Sequence, residues 1–158
     1  MLHLQQICYS SAMRKSMTPA TIQAWARFIR VEQLLLDKVE SDLKAADLPP
    51  LVWYDVLLEL VRTEEGRLRH KDLHRHMLLA KHNLSRLIDR MEAKDLVSRQ
   101  SVDDDARGAF IAVSDRGRQM QRRMWPVYAR AIQHYFARHL DESDVERLGA
   151  ILAKLQAP

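Results

Sequence analysis

Between Lys81 and Arg90 the chain concentrates side chains that can grip a polyanion and read polar edges. Lys81, His82, Asn83, Ser85, Arg86 and Arg90 all fall in this stretch. Arg86 carries a planar guanidinium suited to two parallel hydrogen bonds to guanine, and Asn83 and His82 suit other base edges. Ser85 and Lys81 fit phosphate or base-edge contacts near a helix start, and Arg90 reaches either the sugar-phosphate backbone or an internal carboxylate. Phosphate neutralisation supplies affinity for DNA, whereas base edges supply specificity. Read alone, the same pattern also fits a solvated basic face on an ordinary core helix. Its neighbours decide between the two.

Those residues need a helix to present them. Leu84, Leu87, Ile88 and Met91 recur at i, i+3, i+4 and i+7, which predicts a helix over Lys81 to Ala93. Its apolar stripe faces a core, leaving His82, Asn83, Ser85, Arg86, Asp89 and Arg90 outside. A shorter helix, Lys71 to Met77, precedes it across a sharp turn. Val97 to Ser101 and Ala109 to Val113 read as β runs around the acidic turn Asp103–Asp105, closed by Gly108. Arg99 in the first run and Arg107 in the turn extend the set of candidate DNA contacts. Helix, turn, helix, strand, charged loop, strand is the order of a helix-turn-helix with a β-wing, whose second helix fits the DNA major groove.

The flanks read as helix. Thr18-Pro19 is a good entry, with Thr as N-cap and Pro at the first helical position. Helical spacing then runs to about Ala46, where Asp47-Leu-Pro-Pro50 breaks it. Leu51 to Val61 forms a second helix, with Gly66 as the stop beyond it. Ser114 caps a long helix to about His139, which Pro126 should bend. Asp141 with Asp144 opens a final helix in which Val145, Leu148, Leu152 and Leu155 line one side.

Bulk properties narrow the function. At 158 residues the chain makes one compact domain, or a small module with an oligomerisation appendage. The net charge of +4 is uneven: Arg67 to Ser101 holds nine Lys/Arg against four Asp/Glu, whereas residues 1–66 hold seven against nine. A local basic excess points to a polyanion footprint on one face. Cys8 is the single cysteine, which excludes an intrachain disulfide and suggests a reducing compartment. No apolar run approaches the ~18 residues of a membrane span, and no secretory leader is evident. A cytoplasmic protein with no membrane role is expected. No glycine-rich phosphate loop, metalloprotease motif or nucleophile elbow is present, so neither enzyme activity nor a cofactor is expected.

The motifs resemble the MarR family of winged-helix transcription regulators over residues 48–118, and the flanking helices are similar in layout. The matching positions are Leu73, Met77 and the run Asn83-Leu84-Ser85-Arg86-Leu87-Ile88-Asp89-Arg90-Met91-Glu92. The wing adds Asp105-Ala-Arg107-Gly108 and Val113-Ser114-Asp-Arg-Gly117. Two positions depart from the family pattern. Ala80 stands where Ser or Thr usually caps the reading helix, and His74 stands where a small residue usually lets two helices approach.

The resemblance implies a mainly α fold: a winged helix-turn-helix with a short β-hairpin wing, whose N- and C-terminal helices form a dimerisation stalk. Residues 1–17 would be a flexible extension, 18–47 a dimerisation helix, 48–117 the DNA-binding domain and 118–158 the C-terminal dimerisation helices. Ile22, Val127, Ile132, Val145, Leu148, Leu152 and Leu155 would line the homodimer interface. Arg107 would enter the minor groove, braced by a nearby Asp. The implied function is a ligand-responsive repressor on a pseudo-palindromic double-stranded operator. Its effector would be a small aromatic or phenolic compound met by Trp25, Phe28, Trp53, Tyr54, Trp125 and Tyr128, although aromatics at helical spacing are most often plain core.

Other constellations are weaker. His70, His74, His76 and His82 crowd together, but zinc needs three or four ligands converging tetrahedrally. His76 projects away and His82 lies past the turn, so no metal site is expected. Cys8 as a peroxide sensor needs a thiolate with a stabilising partner, and no cation flanks it. The rival readings are a winged-helix protein–protein interaction module without DNA binding, and a redox- or metal-responsive regulator of the same fold.

Overall fold

The structure, a computed structural model, describes residues 17–77, 81–100 and 109–156, with 81 and 82 as backbone only. Cys8, Ala80, the Asp103–Asp105 turn, Arg107 and the side chains of Lys81 and His82 therefore lie outside the described residues. The elements run α1 (Pro19–Ala45), α2 (Leu51–Val61), β1 (Arg67–Arg69), α3 (His70–His76), α4 (Lys81–Glu92), β2 (Val97–Gln100), β3 (Phe110–Val113), α5 (Asp115–Tyr135), a 3-10 turn (Ala137–His139) and α6 (Glu142–Gln156). The fold is mainly helical with one small antiparallel sheet, as the motif order predicts. No described helix is long and apolar enough to cross a membrane.

The chain divides into two compact units, residues 1–34 and 35–158, with the division inside α1. The described part of the first unit is the opening of α1. Thr18 caps it, its Oγ1 accepting from the Thr21 N–H at 3.1 Å. Ile22, Trp25, Phe28, Ile29, Val31 and Leu34 are all exposed on it.

The second unit holds two apolar clusters. One collects Val56, Leu57 and Leu60 from α2, Leu73 from α3, Leu84, Leu87, Ile88 and Met91 from α4, and Leu96, Val97 and Ile111 from the sheet region. This is the core of the winged module. The other joins Val39 and Leu43 to Leu51 and Tyr54 of α2 and to Met124 and Ala131 of α5. α5 continues through Pro126 to Tyr135.

The sheet has the order β1-β3-β2, with Leu68 opposite Ile111 and Arg99 also opposite Ile111. Strand β1 is an addition to the two expected strands. Three residues are too few to show a period-two pattern, and β1 exists through its pairing with β3.

Two helix ends use the left-handed backbone without glycine. Asp47 (φ 52°) closes α1, where Leu48 N–H donates to Leu43 O at 3.0 Å, and Asp95 (φ 56°) closes α4, where Leu96 N–H donates to Met91 O at 3.0 Å. Each is the six-to-one bond of a Schellman end, with Asp tolerated where glycine is usual.

The start of α5 locks onto the end of α4. Ser114 caps α5, accepting from Gly117 N–H at 2.9 Å, while its own N–H donates to Leu96 O at 3.1 Å. A Cβ on Gly117 would stand 2.1 Å from Leu96 O and 2.9 Å from Val113 Cγ2. A backbone carbonyl cannot step aside cheaply. Gly117→Ala should therefore destabilise the module by about 1–3 kcal/mol, the usual cost of overpacking, read as a lower urea midpoint. An unchanged midpoint would show that the junction is looser than this spacing.

Candidate nucleic-acid interface

Helix α4 spends one face on the core and leaves the other in solvent. Leu84, Ile88 and Met91 are fully buried and Leu87 is nearly so. Asn83, Arg86, Asp89 and Arg90 are exposed and together line an open groove of about 550 Å³. Of the predicted contacts, the structure thus brings Asn83, Arg86 and Arg90 to one outward surface. Ser85 is half-buried beside them, with its Oγ 3.3 Å from His70 Nε2.

Arg99 lies apart from that groove in sequence but not in space. Its guanidinium pairs with Asp89 and with Glu92, each at 2.5 Å, and its own N–H donates to Glu92 at 2.8 Å. Burial opposes the Arg99 charge, but hydrogen bonds and attraction from Asp89 and Glu92 outweigh it and hold its pKa above the ordinary value. Arg99, expected from the sequence as a DNA contact, thus has two carboxylate partners within the protein. The available hint was Asp89 and Glu92 at i, i+3, one helical turn apart on the helix that directly precedes the strand.

A second basic feature had no forecast. The guanidinium carbons of Arg67 and Arg69 lie 4.7 and 5.2 Å from the Phe110 ring centroid, beside the Arg67–Glu65 pair at 2.6 Å. Arg67 and Arg69 alternate around Leu68 on β1, so they share the sheet face away from Leu68.

Within residues 35–158 the predicted aromatic residues separate. Tyr54, Trp125 and Tyr128 meet: Tyr54 stacks on Trp125 at 6.2 Å between centroids, and Tyr128 meets both edge-on at 5.3 and 6.2 Å. Trp53 packs instead against the winged-module core. Trp25 and Phe28 lie in the other unit, with centroids 6.4 Å apart.

The α3 histidines also diverge. His76 Nδ1 is 2.9 Å from Glu59 Oε2, His70 meets Ser85, and His74 Nε2 is buried without a hydrogen-bond partner among the described residues. Among the described residues no group of three or more His, Cys, Asp or Glu is placed to hold a metal.

A helix with a buried stripe and a basic outward face, followed by a paired β-hairpin and anchored by α2 and α5, is a winged helix-turn-helix. A family model described as MarR family matches residues 46–108. AbsC, a MarR family transcriptional regulator from Streptomyces coelicolor, is 29% identical, with a TM-score of 0.80 over 88% of this chain and 93% of that one. Over residues 46–108 the chain is similar to the MarR family, and its fold is similar to that of AbsC.

Sco3205, another MarR family regulator from Streptomyces coelicolor, solved in complex with DNA, is 25% identical with a TM-score of 0.83, covering 91% of this chain and 90% of that one. Bordetella bronchiseptica BpsR, described for regulation of its DNA binding by 6-hydroxynicotinic acid, shares the fold at 18% identity and a TM-score of 0.75. That match covers 85% of this chain and 99% of BpsR. No curated protein matches the chain.

One acid beside the aromatic group is perturbed. Asp55 on α2 is raised from 3.8 to about 6 by burial first, then by repulsion from Glu59 and Glu40. Burial and Asp55 in turn raise Tyr128 above its ordinary value. A carboxyl whose folded pKa exceeds its unfolded one keeps a proton that the unfolded chain has released. Stability therefore falls as pH rises from about 4 to about 6 and stays reduced above that window. Asp55→Asn removes the charge at similar size. It should raise the urea midpoint at about pH 7.5 and change it little at about pH 4. Equal gains at both pH values would contradict this assignment.

Proposed function

We propose that this protein binds double-stranded DNA as a homodimer and regulates transcription, each protomer laying α4 in a major groove. The observation that carries this reading is the outward face of α4. Asn83, Arg86 and Arg90 line one open groove on a helix whose opposite stripe is fully buried. Arg86 reads guanine through its two-pronged fork, Asn83 reads a neighbouring base, and Arg90 takes the backbone. Lys81 and Ser85 are assigned phosphate or base-edge contacts and His82 another base contact, while Arg99 supports α4 from β2. The wing follows into the flanking minor groove, where Arg107 is assigned the contact. The complex of Sco3205 with DNA supports the mode.

The dimer reading rests on unspent apolar surface. No residue of α6 is buried in the protomer, and Val145, Ile151 and Leu155 are exposed on it. Leu148 and Leu152 are only half-buried, as are Val127 and Ile132 on α5. An apolar groove of about 240 Å³ lies open between Leu36, Val39, Ile132, Tyr135 and Phe136. A second copy covering these faces makes a two-fold stalk of helices from 18–47 and 118–158. Two reading heads then meet half-sites about one helical turn apart. A monomeric wild type in sedimentation at micromolar concentration would exclude it. Repression through promoter occlusion, relieved by a small aromatic or phenolic effector near Tyr54, Trp125 and Tyr128, completes the reading.

Arg86→Ala tests the central contact. It should weaken selected-operator binding by about 1–3 kcal/mol and relax preference at one base position across a panel of single-base variants. An unchanged preference profile would remove Arg86 as a base reader.

A further inference from the structure

Arg99 stands on β2, but its side chain belongs to α4. Nη2 pairs with Asp89 at 2.5 Å and donates to the Ser85 carbonyl at 3.4 Å, while Nη1 pairs with Glu92 at 2.5 Å. The Arg99 main-chain N–H donates to the other Glu92 oxygen at 2.8 Å. One residue therefore ties the wing strand to the reading helix at three successive positions along it. Asp89 also lines the outward groove with Asn83, Arg86 and Arg90. Unpaired, its carboxylate would repel any phosphate brought to that groove.

We propose that Arg99 is a positioning residue for DNA binding: it sets the seat of strand β2 against α4 and neutralises Asp89 inside the reading groove, without itself contacting phosphate. The inference rests on the DNA-binding reading above. It requires a guanidinium in particular. A planar fork can meet two carboxylates and a carbonyl at once, whereas a lysine ammonium is a point charge that cannot span them. The side chain is 34% exposed, so each pair alone adds little to folding. The consequence of losing it falls on geometry.

The test compares full-length wild type with Arg99→Ala, Arg99→Lys, Glu92→Gln and the Arg99→Ala/Glu92→Gln double variant. Operator affinity, groove-resolved footprints and thermal unfolding are measured for each. Both Arg99 variants and Glu92→Gln should each lose about ten-fold in affinity, with the double variant no worse than Arg99→Ala, because the residues act as one unit. Protection of the flanks should fade while protection of the α4 major groove persists, at an unchanged melting temperature. Full affinity in Arg99→Lys with a silent Glu92→Gln would make Arg99 a phosphate contact and overturn the proposal. Uniform loss of all protection with a lowered melting temperature would reduce it to a fold contact and also overturn it. If Arg99→Ala does not fold, Arg99→Lys and Glu92→Gln carry the same readouts. A wild type that binds no duplex would fail the underlying reading instead, a result distinct from either.

Discussion

The apolar stripe of α4 is the constraint on which the rest depends. Leu84, Leu87, Ile88 and Met91 sink into a core supplied by α2, α3 and the sheet. Truncating such a buried Leu, Ile or Met to Ala costs about 2–5 kcal/mol, so this stripe alone fixes which face of α4 turns outward. With the stripe spent, Asn83, Arg86, Asp89 and Arg90 have no choice but solvent. The chemistry of the outward face is therefore positioned by residues that never touch a ligand.

That constraint propagates along the chain. The left-handed Asp95 turns the backbone directly after α4, so Leu96 and Val97 enter the same core. The Leu96 carbonyl then accepts from Ser114, whose hydroxyl caps α5. The reading helix, the wing strands and α5 thus meet at one junction a few residues wide. Movement of α5 cannot leave α4 undisturbed, which is the mechanical requirement for coupling an event at the helical end of the chain to the groove-facing surface. The Arg99 pairs sit outside this apolar junction and are partly exposed, where ion pairs contribute about 0–1 kcal/mol each to folding. Their office is orientation, while the core supplies stability.

Much of this was legible in the sequence because the decisive features are local. The 3-4-3 spacing in α4, the Asp47-Leu-Pro-Pro50 break and the Ser114 cap each act within a few residues, and helices α2, α4, α5 and α6 fall within a few residues of their expected bounds. Non-local features escaped. Strand β1 depends on a partner more than forty residues away, and Arg67 and Arg69 reach Phe110 across the same distance. The aromatic set shows both outcomes. Tyr54, Trp125 and Tyr128 do converge, but neighbouring Trp53 turns to the other core, since adjacent residues on a helix point about 100° apart. Arg99 was legible as a cation, and its two carboxylates emerge only from the turn that folds β2 back along α4.

The electrostatic seat for duplex DNA proposed on the outward face of α4 makes binding depend on salt. Its most direct test is the affinity of the wild-type protein for duplex measured across a salt series. Binding through several phosphate contacts predicts a steep linear fall of log affinity with log salt, with a slope of about −0.9 for each phosphate neutralised. A flat dependence, or no duplex binding at low salt, would exclude such a seat and leave the winged module as a surface for protein partners.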